Sequence, residues 1–290
     1  MKVAIFGSQF QSDKLEKVLS VFSLLRQMKA EIFVSEFFYC FLSSTLMNPP
    51  LVDGIIEGDD FTADVAFSIG GDGTYLRTVH HIGDKNIPIL GINTGRLGFL
   101  ADIDTSEIES AIRELYSNYY RIEEMSQLHL RIDGAPFDEY PCALNEIAVL
   151  KRDSSSMINV HATINEEYLN GYQGDGLLIA TPTGSTAYAL SVGGPIMLPG
   201  SKNILIAPVA PHNLTARPLV VDDLSVIDLE VESRSKNFLV SLDGRSFSMP
   251  CTVKLQIIKA GYSVKAIKRH AHTYIQTLRR KMMWGIDPRG

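Results

Sequence analysis

Apolar positions follow two regimes along the chain. Up to about residue 120, short apolar runs alternate with longer stretches in which apolar residues recur every three or four positions. Lys2–Phe6, Glu31–Ser35, Asp64–Ile69 and Ile87–Ile92 read as strands, and Asp13–Met28, Thr74–His81 and Thr105–Tyr116 as helices. In the last of these Ile108, Ile112 and Leu115 share a face, and Thr105 is placed to cap it. Strands alternating with helices predict parallel βαβ units. Phe37–Asp60, with Asn48-Pro49-Pro50 and several acidic residues, shows no assignable period.

From about Glu124 the pattern becomes one of short strands. Gln127–Ile132, Cys142–Leu150, Met157–Ile164, Gly176–Thr181, Ile204–Val209, Leu224–Val231, Asn237–Leu242, Val253–Lys259 and Ser263–Lys268 fit it, with Asp-Gly, Asn-Gly or Pro-Gly turns between them. Such spacing predicts a sandwich-like all-β domain. His272–Trp284 returns to helical spacing, with Ile275, Leu278 and Met282 on one side. Its Arg279-Arg280-Lys281 run reads as a solvated helix end favoured by the dipole. The expected architecture is a Rossmann-like α/β domain over 1–120, then a β-sandwich-like domain over 121–269. A C-terminal helix within 270–290 returns to the first domain.

Composition narrows the function. A length of 290 residues allows two domains with real cores, and 45% hydrophobic with 21% charged residues is ordinary for a globular chain. The net charge of −6 argues against a broad grip on nucleic acid. Cys40, Cys142 and Cys251 are odd in number and far apart, which suggests reduced thiols and a cytoplasmic protein. The first residues are too sparsely apolar for a signal sequence, and no run of about 20 apolar residues predicts a membrane span.

The richest chemistry lies in Val65–Thr74, where a strand-like run enters Gly70-Gly71-Asp72-Gly73-Thr74 and a helix follows. Glycines there let backbone approach a ligand, and N–H groups at a strand-to-helix turn suit phosphate. Asp72 is a poor phosphate binder, so it reads as a proton acceptor or a partner for Mg²⁺ carried by the phosphate. Neither a Walker loop nor Gly-x-Gly-x-x-Gly occurs. Further clusters are Asn93–Phe99, Asn145-Glu146 inside an apolar strand, Gly174-Asp175-Gly176, Thr181–Tyr188 and Pro211–Val220. Each alone also fits a plain turn, a cap or a satisfied buried polar group.

Together these clusters are similar to one family. GGDGT at Gly70–Thr74, NE at Asn145-Glu146, GDG at Gly174–Gly176, TPTGSTAY at Thr181–Tyr188, GGPI at Gly193–Ile196 and PHNLTARPLV at Pro211–Val220 occur in the order seen in bacterial NAD kinases. The resemblance spans roughly 65–250. It implies transfer of the γ-phosphoryl of ATP to the 2′-hydroxyl of the adenosine ribose of NAD, with Mg²⁺ or another divalent cation arriving on ATP.

By the same resemblance Asp72 is the catalytic base, and Gly70, Gly71, Gly73 and Thr74 hold phosphates. Asn145 and Glu146 bind the adenosine part of NAD, and Thr186, Ala187, Tyr188, Ala189, Leu190 and Ser191 line its base and ribose. Asp175 reaches the nicotinamide end, in this family often across a subunit interface. Arg77 lies one turn past the loop, where it meets either a phosphate or solvent. Arg245, a further candidate contact to NAD, stands where the family pattern often has glutamine. A homo-oligomer, tetramer or dimer, built through the β domain is also implied, with neither nucleic acid nor membrane as partner. The alternatives are a GGDGT-type lipid or sugar kinase and a non-catalytic NAD(H) sensor.

Overall fold

The computed structural model describes residues 1–9, 14–95, 98–137, 139–152 and 156–283. Asp13 and Trp284, at the outer ends of two expected helices, lie outside them, as do Arg96 and Leu97. The chain forms two compact units, Met1–Glu124 together with the chain from Val264 on, and Met125–Ser263.

In the first unit the order is β1 (Lys2–Gly7), α1 (Leu15–Gln27), β2 (Glu31–Ser35), α2 (Glu36–Thr45), β3 (Gly54–Ile56), β4 (Val65–Gly70), α3 (Asp72–Ile82), β5 (Ile89–Asn93), β6 (Ile103–Asp104), α4 (Ile108–Tyr116) and β7 (Arg121–Met125). The second unit holds β8 (Leu128–Ile132), β9 (Ala135–Pro136), β10 (Cys142–Ala143), β11 (Glu146–Lys151), β12 (Ile158–Ile164), β13 (Glu167–Gly174), β14 (Gly176–Ala180), α5 (Tyr188–Ser191), β15 (Asn203–Val209), β16 (Leu219–Asp222), β17 (Ile227–Glu232), β18 (Asn237–Leu242), β19 (Arg245–Pro250) and β20 (Leu255–Lys259). The chain then returns to the first unit as β21 (Val264–Lys268) and α6 (Tyr274–Met282).

The first sheet runs β3-β2-β1-β4-β5-β21-β7, with β6 paired to β5. Its pairings from β3 through β5 to β21 are parallel. Every residue of β4 and β5 is buried, as a parallel sheet covered on both faces demands. Ile5, Phe67, Ile69 and Ile92 share one core with Val21, Leu25 and Ile112 of the helices. The chain grows outward from β1 to β3, then restarts on the other side of β1 as β4. That reversal makes the ends of β1 and β4 a topological switch point, where open α/β sheets take ligands.

Two expectations change here. Phe37–Asp60 contains most of α2 and all of β3. Its aromatic-rich helix, EFFYCFLSST, is built from weak helix formers, so its period is faint. Val264–Lys268, expected among the β-rich strands, pairs with β5 through Ala266 and Ile89. The units therefore divide after Glu124 and after Ser263, not after 120 and 269. Alternation shows that a segment is a strand, but not which sheet it joins.

The second unit is a two-sheet sandwich, as expected. One sheet runs β10-β8-β20-β17-β12-β13 with β9 on β8, and the other runs β16-β15-β14-β11-β18-β19. Leu130, Val160, Leu229 and Ile257 of the first meet Ile147, Val149, Ile179 and Val240 of the second in one core. In β17 the buried Ile227, Leu229 and Val231 alternate with acidic residues, the signature of a half-solvated strand. Among the described residues no helix is long and apolar enough to cross a membrane. The three cysteines form no disulfide.

Candidate active site

Asp72 opens α3 immediately beyond β4 and the helix-capping Gly71. A β-carbon on Gly70 would lie 2.3 Å from Thr74 Oγ1 and 2.7 Å from Ser8 Oγ, so only glycine fits the end of β4. Positions 71 and 73 instead face open space, which leaves their backbone accessible. The first N–H groups of α3 have no partner within the helix and carry the positive end of its dipole. The Thr74 side chain is buried, and its Oγ1 accepts from Arg77 at 3.3 Å.

The Asp72 carboxylate is held by a second loop. Its Oδ2 accepts the Phe99 N–H at 2.9 Å, and its Oδ1 accepts those of Leu100 and Ala101, each at 3.1 Å. The 93–101 loop is braced in turn: Asn93 Nδ2 donates to the Ala101 carbonyl, and the Gly95 N–H donates to Asn93 Oδ1. Asp72 Oδ2 keeps a lone pair beyond its one backbone bond, and the side chain is about one-third exposed. Glycine-loop and Asn93–Phe99 clusters thus form one device.

A cavity of about 610 Å³ opens beside this loop at the ends of β1 and β2. Phe6, Phe37 and Ile56 give it apolar walls, and Ser8, Thr74 and Arg77 polar ones. The segment that had no assignable period therefore supplies two of its walls. Arg77 faces this space as well as Thr74.

In the second unit Asn145-Glu146 and Thr181–Ser191 are joined directly. The Thr181 hydroxyl donates to the Leu144 carbonyl at 2.6 Å, and the Thr181 N–H to the Asn145 carbonyl at 2.9 Å. A β-carbon on Gly184 would lie 2.0 Å from the Asn145 oxygen, so this close approach requires glycine. Ser185 Oγ donates to the Pro182 carbonyl and accepts the Met197 N–H, fixing the turn from within. Tyr188 and Ser191 are exposed, and Thr186, Ala187 and Leu190 are half-buried. Ala189 is fully buried against Ala148, Leu178 and Leu205, so its side chain belongs to the core and offers a ligand no surface.

Asp243, not among the candidates, organises this cluster. It sits at φ 48° in a two-residue hairpin turn with Gly244, φ 85°. Its carboxylate accepts the N–H groups of Leu144, Asn145 and Glu146 at 2.6, 2.8 and 3.1 Å. Those bonds explain why the expected strand Cys142–Leu150 breaks into β10 and β11, which lie in different sheets. Asp-Gly was legible as a turn, but nothing in it announced the reach to residue 144.

Burial drives the Glu146 carboxyl up to about 7, with the Asp243 charge pushing the same way and the Tyr188 N–H pulling back. Glu146 Oε2 is buried without a hydrogen-bond partner among the described residues. Burial also raises Asp243, against the pull of its N–H donors and Arg245.

Two candidates stand apart. Arg245 donates to the carbonyls of Tyr140 and Cys142 at 2.9 and 2.8 Å and stacks on the Tyr140 ring, so it braces the backbone leading into Leu144. These bonds give it a structural task. Asp175 pairs with Lys151 at 2.7 Å where β13 turns into β14. Thr181 follows the other end of the five-residue β14, roughly 20 Å away along the strand. Within one chain Asp175 is remote from the Asn145–Thr181 cluster.

A carboxylate fixed at a glycine-rich strand-to-helix turn, on the switch point of a parallel sheet, is the arrangement of a phosphate-handling site. Residues 43–120 match the ATP-NAD kinase N-terminal domain and residues 144–269 the ATP-NAD kinase C-terminal domain. The NAD kinase of Bacteroides fragilis is 53% identical over 289 residues, covering all of both chains. That of Porphyromonas gingivalis is 43% identical over 99% of each. The chain belongs to the NAD kinase family. Two solved structures share its fold. Yeast NADH kinase complexed with NADH has a TM-score of 0.88 at 22% identity, over 99% of this chain and 88% of that one. The NAD kinase of Archaeoglobus fulgidus in complex with ATP has a TM-score of 0.77 at 24% identity, over 98% and 99%.

Proposed function

We propose that the chain transfers the γ-phosphoryl group of ATP to the 2′-hydroxyl of the adenosine ribose of NAD, giving NADP, with Asp72 as the proton acceptor. The observation that carries this reading is the held carboxylate: three backbone N–H groups orient Asp72 while Oδ2 keeps a lone pair for an incoming hydroxyl. A ribose hydroxyl is a weak nucleophile, so alignment and a base that accepts its proton as the oxygen–phosphorus bond forms are what the protein must supply. Backbone N–H groups around Gly71 and Gly73 hold phosphate, and Gly70 allows the tight turn.

Mg²⁺, or another divalent cation, enters as part of the ATP substrate. One carboxylate at the loop suits an ion held mainly by phosphates. The 610 Å³ cavity takes the donor's base and sugar, with Arg77 between it and the phosphates. Asn145 and Glu146 bind the adenosine part of NAD, with Thr186, Ala187, Tyr188 and Ser191 around it.

Asp175 reaches the nicotinamide end of NAD, the part remote from that cluster, and is supplied by a second copy. The active form in this reading is a homo-oligomer, a dimer or tetramer built through the β unit. We place the protein in the cytoplasm, where its unpaired thiols stay reduced.

The test is incubation with NAD, ATP and Mg²⁺, reading NADP with an NADP-specific dehydrogenase. NADP should form only with all three present. Asp72→Asn should keep NAD binding by calorimetry while losing at least about a hundredfold in rate. An unchanged rate would remove Asp72 from the chemistry.

A further inference from the structure

Phosphate loops commonly carry a cation, as the Walker loop carries its lysine. Gly70–Thr74 carries a carboxylate in that place. A triphosphate brings more negative charge than one divalent ion cancels, so positive charge must reach this loop from elsewhere. Arg77 is one source, from the cavity side. The second comes from the far end of the chain.

Lys281 Nζ lies 3.9 Å from Asp72 Oδ2 and 4.5 Å from the centroid of the Phe99 ring. Phe99 is the residue whose N–H holds that same Oδ2. Its other ring contact is Tyr274, at the start of α6, with centroids 6.0 Å apart. The helix that delivers Lys281 is seated: Thr273 and Gln276 close a capping box at its start, and Thr277 and Leu278 are buried. At 3.9 Å the ammonium stands beside the carboxylate without a hydrogen bond to it, so its donors remain available to a third group. Its side chain is 28% exposed, which leaves it reachable. Arg279, Arg280 and Lys281 are all exposed, and Lys281 in addition stands beside Asp72.

We infer that Lys281 is a donor-binding residue whose ammonium contacts the γ-phosphoryl group of ATP as it passes to the acceptor at Asp72. This rests on the reading of Asp72 as the reaction site. In the step, a bond forms between the ribose 2′ oxygen and the γ phosphorus, and the bond to the bridging oxygen breaks. That oxygen leaves with ADP, and the hydroxyl proton goes to Asp72. Lys281 stays protonated throughout and stabilises charge on the phosphoryl oxygens.

The test compares Lys281→Gln, Lys281→Met, Lys281→Arg and Arg280→Gln with the parent protein. The probes are the Mg²⁺ complex of β,γ-imido ATP, ADP and NAD, titrated separately by calorimetry beside steady-state rates. A charge-assisted contact to the terminal phosphate predicts about tenfold weaker analogue binding and at least about tenfold lower kcat in Lys281→Gln. Binding of ADP and of NAD should stay within about twofold, Lys281→Arg should recover most of the loss, and Arg280→Gln should change nothing. Lys281→Met keeps the packing on Phe99 and serves if glutamine unseats the helix, which a melting curve reveals. Analogue affinity and kcat both within about twofold of the parent, or a rise in kcat, would overturn the inference. An inactive Asp72→Asn beside a normal Lys281→Gln sinks only the lysine, whereas a fully active Asp72→Asn sinks the reading of the site.

Discussion

Glu146 shows what a single buried carboxyl contributes. Its folded pKa is raised from 4.5 to about 7, chiefly by burial. The unfolded chain releases that proton near 4.5, so between about 4.5 and about 7 the folded state binds more protons. Stability contributed at this site is therefore present below about pH 4.5, falls as pH rises through that window, and is flat above it. The shift corresponds to about 3 kcal/mol. Glu146→Gln removes the titration, so urea unfolding at about pH 5 and about pH 8 should show the parent losing stability relative to the variant at the higher pH. An equal difference at both values would mean that Glu146 does not hold the proton. The adjacent polar pair inside an apolar strand was the legible part of this site. Asp243, which holds that pair through backbone N–H groups, was not: bonds to backbone leave no trace in the identity of residues 144–146.

At the scale of elements, the strand-to-helix turn after β4 was legible because glycines and a following helix mark it directly. The loop after β5 was legible only as a separate cluster. The two meet through Asp72, and the one residue that records the meeting is Gly98. An alanine there would put its β-carbon 1.8 Å from Asp72 Oδ1 and 3.0 Å from the Ala101 carbonyl. The carboxylate or the loop must then move. Misplacement of a reacting group by about 1 Å can cost roughly a hundredfold in rate, so Gly98→Ala should approach the loss in Asp72→Asn. Residues that act as one unit are not additive, and the double variant should be little slower than Asp72→Asn alone. Measured kcat/KM values for the two single variants and the double decide it; multiplied losses would separate the loop from the carboxylate. Loss of the strand over Cys142–Leu150 has the same origin, since the Asp243 side chain takes the N–H groups at which β10 and β11 part.

Across the whole molecule, the two-unit plan was legible in the change of period near residue 124, but the return of the chain was only half legible. Helix α6 announces itself by spacing, whereas β21 looks like any strand of the sandwich. Its place is between β5 and β7 in the first sheet. Lys268, just inside the end of β21, pairs with Asp102 at 2.9 Å, and both side chains are almost wholly buried. Arg269 then binds Glu114 at 2.8 and 2.7 Å and Glu107 at 2.9 Å. A chain stopped after Ser263 lacks the strand between β5 and β7 and leaves Asp102 buried without its cation, a loss of about 3–5 kcal/mol before any packing is counted. One stopped after His272 keeps β21 and both ion-pair groups, and loses mainly the burial of α6 around Leu278, about 2–3 kcal/mol. The first truncation should abolish cooperative melting of the α/β unit. The second should melt cooperatively at a moderately lower temperature, while turning over slowly because Lys281 is gone. Calorimetric melting of both, beside the full chain, separates the two contributions of the returning segment: β21 completes the sheet, and α6 serves the phosphate loop. If the shorter chain melts like the full one, β21 is an accessory to a sheet that stands without it.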